Sequence, residues 1–166
     1  MDDAQLGSLR SVAHPLRLRM LSLLTGTAMS AAEVARELEI THANASYHLR
    51  LLADAGLLEI EGEERIRGGV AKRYRHVWAS APLSKSLGDL EPQVRAMTSE
   101  LLRRYQQREG KVLLTDAELW VTPEVWQRAQ DLLTEASVLV HDNAQPPRAE
   151  GSAPVNLSIA AFGMAR

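Results

Sequence analysis

Cysteine is absent from the 166 residues, which excludes disulfides, thiolate metal sites and cysteine redox sensing. No apolar run approaches the ~20 residues of a membrane-spanning helix. The acidic start, Met1-Asp2-Asp3-Ala4-Gln5-Leu6, lacks a secretory pattern, so a cytoplasmic, membrane-free protein is expected. No phosphate loop, nucleophile elbow or separated carboxylate pair occurs. Gly68-Gly69 lacks the further glycines and the strand–helix context of a dinucleotide site. His14, His42, His48, His76 and His141 never stand four apart as a helical zinc pair does, and His141-Asp142 is explained by a surface helix end. No metal, no cofactor and no enzymatic activity are therefore expected. Nor is there a charge excess: the formal net charge is −2.

What remains is an ordinary composition, 45% apolar and 24% charged, long enough for one domain or two small ones. The expected division is 1–80 and 81–166. Within 1–80, Lys/Arg and Asp/Glu balance, but their distribution is uneven. Residues 65–76 hold Arg65, Arg67, Lys72, Arg73 and Arg75 and no carboxylate, with Glu59, Glu61, Glu63 and Glu64 just before them.

The stretch Leu38–Leu58 has the spacing of a DNA-reading helix. Thr41 can cap a helix start. Ala45, Leu49 and Leu52 fall at i, i+4 and i+7 on one buried face. The other face carries His42, Asn44, Ser46, Tyr47 and Arg50, all hydrogen-bonding and none acidic, a composition suited to base edges in a major groove. His48 reads as packed or phosphate-touching behind that face. Gly56 is a helix stop. Upstream, Ser30 and Glu33 form a capping box for a helix with Val34, Ala35 and Leu38 on its apolar side. Two helices joined by a tight turn are a helix-turn-helix. Pro15 opens an earlier helix whose inner side is Leu16, Met20, Leu23 and Leu24. Leu58–Glu61 alternates as a strand does. Arg73–Trp78 is its expected partner across a tip at Gly68-Gly69.

Helix, helix-turn-helix and hairpin in this order predict a winged helix. Residues 9–79 resemble the winged helix-turn-helix of the ArsR family of bacterial transcriptional regulators. The matching runs are A-H-P-L-R-L-R-M-L-S-L-L at 13–24, A-S-Y-H-L-R-L-L-A-D-A-G-L-L at 45–58 and R-G-G-V-A-K-R-Y-R at 67–75. The resemblance implies a dimeric binder of double-stranded DNA, in the commoner case a repressor. From the residue types, Thr41, His42, Asn44, Ser46 and Tyr47 are the candidate base readers. Arg50, Arg65, Arg67, Lys72, Arg73 and Arg75 are the candidate backbone and wing contacts. The alternative is a winged-helix adaptor that binds protein and reads no DNA sequence.

In the second half, Leu83, Leu87, Leu90, Val94, Met97 and Leu101 repeat at alternating steps of four and three, a heptad seam. Pro92 fits a first turn capped by Asp89, giving a helix that ends near Arg108. Leu87, Leu90, Val94, Met97 and Leu101 are the candidate homodimer contacts, with Leu6 and Leu9 as a second layer. Lys111–Val121 reads as a strand. Thr122-Pro123-Glu124 starts a helix, Asn143–Pro154 is a loop, and Val155–Ala161 reads as a last strand. This β-α-β block is similar to the C-terminal extension of some ArsR-like regulators. Trp120, Trp126, Phe162 and Met164 are candidates to line a small-molecule effector pocket. The expected fold class is α+β, mainly α: a winged helix-turn-helix, a long dimerisation helix and the small β-α-β block.

Overall fold

The computed structural model describes residues 13–66, 69–76, 78 and 90–165. Leu6, Leu9, Arg67, Leu83, Leu87 and Asp89 lie outside the described residues. The fold is α+β, and its N-terminal half is a winged helix-turn-helix.

Helix α1 (Pro15–Gly26) starts with Pro15 in its first turn, and the Leu16 N–H donates to His14 Nδ1 at 3.2 Å. A short strand β1 (Met29–Ser30) follows, then α2 (Ala31–Leu38). The Ser30–Glu33 capping box is complete: each side chain accepts from the other residue's backbone N–H, which satisfies donors that a helix start leaves orphaned. Helix α2 stops at Glu39, whose φ of 55° is left-handed, and the Ile40 N–H returns to the Ala35 carbonyl at 3.0 Å. Thr41 then caps α3 (His42–Asp54) by accepting from the Asn44 N–H. Gly56, at φ 71°, closes α3. The Gly56 and Leu57 N–H groups bond to Ala53 and Leu52 at 2.9 Å each, the paired return bonds of a Schellman stop.

Strands β2 (Glu59–Ile66) and β3 (Gly69–Arg75) form the wing, antiparallel, with a register shift between Ile60 and Gly62. β1 pairs with the far edge of β3, Met29 opposite Tyr74, giving the order β1-β3-β2. This third strand was not expected from sequence. At two residues it is too short to show a period.

The core lies where α1, α2, α3 and the sheet meet. Met20, Leu24, Val34, Leu49 and Leu52 are fully buried, with Leu58 and Tyr74 closing it from the sheet. Truncating one such leucine to alanine typically costs about 2–5 kcal/mol.

Helix α4 (Glu91–Gln106) begins with Pro92 in its first turn and packs on α1. Helix α5 (Pro123–Asp142) has the expected start: the Val125 N–H donates to the Thr122 hydroxyl. The strands expected at Lys111–Val121 and Val155–Ala161 do not form within the chain. Residues 111–122 and 152–165 carry no helix, turn, bend or ladder. A strand exists by its partner's backbone, and the described residues place none beside either segment. Contacts among the described residues fasten the C-terminal region to the winged module. Trp78 stacks on His141 at 4.2 Å between ring centroids, Arg148 pairs with Glu37, and the Gln145 carbonyl lies so close to Gly26 that a Cβ there would meet it at 2.3 Å.

Candidate nucleic-acid interface

Helix α3 presents two unlike faces. Ala45, His48, Leu49 and Leu52 are buried against the core, and Thr41, His42, Asn44, Tyr47 and Arg50 are exposed, with Ser46 half-buried. The candidate base readers thus share one solvent-facing side of a helix anchored from beneath. Among the described residues no acidic side chain bonds to any of them. Arg50 Nε donates to the Ser46 carbonyl at 3.2 Å, which lays its guanidinium along the helix and leaves its other donors outward.

Sequence reasoning placed His48 behind this face but missed its partner there. The His48 ring packs on His14 of the α1 cap at 5.0 Å and edge-on to Tyr47 at 5.1 Å. Tyr47 also raises the pKa of Arg17, although burial dominates and lowers it. Burial pushes the His48 imidazole below the usual histidine range, and His14 and Arg17 push it the same way. His14 is lowered by burial and then by Arg17. His48, packed on His14, thus backs Tyr47 from behind. The only sequence signal was the histidine at i+3 from Ala45, on the buried side.

The wing is less basic in space than in sequence. Its register sets Glu59 opposite Arg75 and Glu63 opposite Lys72. Arg75 pairs with Glu61 at 3.3 Å. Arg73 is turned inward: it donates to the Ala28 carbonyl at 2.6 Å, to Glu33 at 3.0 Å and to Glu64 at 3.4 Å. Burial raises the Glu33 pKa, but bonds from Ser30 and the charge of Arg73 outweigh it and hold the carboxyl below its usual range. Arg65 and Lys72 are exposed on the hairpin with no carboxylate partner among the described residues.

Along the seam, Val94 and Leu101 are exposed, while Leu90 and Met97 are half-buried. Of the effector candidates, Trp120, Phe162 and Met164 are exposed and Trp126 is half-buried. The shallow hollows described on α5 run along Thr134–Asn143 and Glu124–Leu132, and none of the four lines either. The described residues contain no group of three or more potential metal ligands, and none of their helices is long and apolar enough to cross a membrane.

Residues 12–61 match the family model of a helix-turn-helix domain. The chain therefore carries a helix-turn-helix, the DNA-binding module of transcription regulators. The match ends inside β2, and no curated protein matches the chain.

Proposed function

We propose that the protein is a sequence-specific transcriptional regulator that binds a palindromic operator as a homodimer. In this reading it is ArsR-like in its winged module, which reads DNA from within residues 1–80, and a repressor in sign, the commoner outcome for that family. Residues 81–166 join the two copies. The outer face of α3 carries the proposal: five hydrogen-bonding side chains, no acid, on a capped helix whose other side is locked into the core. His42, Asn44, Ser46 and Tyr47, with Thr41, meet base edges. Asn44 has the amide that pairs bidentately with adenine. Arg50, Arg65, Arg67 and Lys72 hold phosphates and fix the register.

One observation favours a second reading, a protein-binding adaptor. Ion pairs with Glu61, Glu64 and Glu33 neutralise much of the wing. The two readings separate in a duplex titration. Asn44→Ala is expected to weaken operator binding by about 1–3 kcal/mol and to relax preference at one base pair. Equal binding of operator and random duplex by the unaltered protein, with no effect of Asn44→Ala or His42→Ala, leaves only the adaptor.

A further inference from the structure

The C-terminal half keeps outside what a folded chain puts inside. Helix α4 turns Ala96 and Glu100 inward. Glu100 is held there by Arg103 at 2.8 Å and Arg104 at 3.7 Å. Its apolar residues Val94, Leu101, Leu102 and Tyr105 are the exposed ones. That polarity is inverted for a helix that packs on α1. Helix α5 runs 20 residues and buries none of them. Leu113 is 93% exposed and Val155 76%. Residues 155–165 contain no charged side chain, so nothing there favours a solvated tail.

The backbone is open as well. Residues 111–119 and 153–165 enter no backbone–backbone hydrogen bond among the described residues. Arg104 donates to the Asn156 side chain at 3.0 Å, which sets the second segment beside α4. At roughly 100 Å² for a large aliphatic side chain, the area that about 2.5 kcal/mol of burial represents at about 25 cal/mol per Å², the exposed apolar side chains from Val94 onward amount to about 1,000 Å² per chain. A monomer's largest apolar patch is about 300–600 Å², and a standard interface takes about 800 Å² from each partner.

We propose that a second copy of this chain covers this surface, with segments 111–119 and 155–161 of each copy entering a sheet shared between the copies. The proposal rests on the dimeric reading above and adds the place and manner of joining. A second copy is the occupant the chemistry selects. It brings the same apolar surface and the same extended segments, related by a two-fold axis that makes the contact self-complementary. Two strands from one chain are marginal, whereas four from two chains make a stable sheet over the two α5 helices. Leu119, Val121, Val155 and Leu157 then lie inside, and the open edges are paired.

The test uses the full chain and two double variants: Leu119→Asp with Leu157→Asp, and Val94→Glu with Leu101→Glu. All four positions are exposed in the single chain, so the winged core is untouched. Mass is read by light scattering and backbone protection by hydrogen exchange. The expected result is a dimer whose 111–119 and 155–161 amides are protected. In the Leu119, Leu157 variant that protection vanishes and the dimer weakens by about a hundredfold or more, because the new carboxylates would be buried unpaired. Its α1–α3 amides stay protected, which shows it is folded. A dimer with freely exchanging segments, dissociated only by the Val94, Leu101 variant, overturns the inference and leaves the dimeric reading standing. A chain that stays monomeric overturns both, while half-site duplex binding still reports on the α3 face.

Discussion

Arg73 shows how much a single residue's meaning depends on where the fold puts it. In sequence it is one cation of a basic hairpin. In the fold it bridges the wing to the start of α2, through Ala28, Glu33 and Glu64. Arg73→Ala is expected to lower unfolding stability by about 1–3 kcal/mol and to leave the salt dependence of DNA binding unchanged. Lys72→Ala should do the reverse: stability within about 0.5 kcal/mol of the parent and a salt slope lower by about one unit. Urea denaturation and a salt titration of duplex binding check both, and interchanged results would contradict the assignment. The histidines make a second residue-scale prediction. His14, His48 and His76 are all depressed, each chiefly by burial. The unfolded chain takes up their protons near pH 6.5, whereas the folded chain does so only at lower pH. Stability is therefore full above about pH 6.5 and falls as pH drops below it. Urea midpoints at pH 7.5 and 5.5 should differ in that direction, and His48→Leu should shrink the gap. A midpoint that rises on acidification contradicts this.

Among the elements, one close contact between the two halves is that of the loop after α5 with the last turn of α1. Gly26 leaves no room for a side chain under the Gln145 carbonyl. Gly26→Ala must displace that loop, at a cost of about 1–3 kcal/mol, and should raise hydrogen exchange through residues 143–148 while α2 and α3 stay protected. Unchanged exchange there would mean that the loop is held by Arg148–Glu37 and Trp78–His141 alone. The elements also divide by what their sequence can reveal. Helices α1 to α3 and the start of α5 were legible because their signals are local: Pro15, the Ser30–Glu33 box, Thr41, Gly56, and Thr122 before Pro123. Strand β1 was not, because two residues carry no period. The inward turn of Arg73 and the pairing of Glu61 with Arg75 were not, because they depend on a cross-strand register that the flanking residues do not state. The segments around α5 have strand-like side chains, yet a ladder depends on a partner whose position the sequence does not give. Of the candidate interface, the α3 face was legible from helical spacing, and the His14–His48 support beneath it was not.

At the scale of the whole molecule, a net charge of −2 gives no general attraction to DNA. On the proposed reading, affinity comes from local placement: one polar helix face, exposed Arg65 and Lys72 on the wing, and their duplication by a second copy. One recognition helix spans too few base pairs to define an operator, so two copies with half-sites about 34 Å apart are expected. The inverted polarity of α4 and the bare surface of α5 support the proposal that the second half joins two copies, far in sequence from the proposed reading helix but tied to it through Gly26, Glu37 and Trp78. The most direct measurement is selection of bound sequences from a random duplex pool by the unaltered chain and by Asn44→Ala in parallel. A two-fold symmetric site is expected, with half-site centres about 10 base pairs apart and one position per half-site that loses its preference in the variant. Recovery of unselected sequence, or of a site that Asn44→Ala recognises unchanged, would contradict the reading of α3 as the DNA-recognition helix.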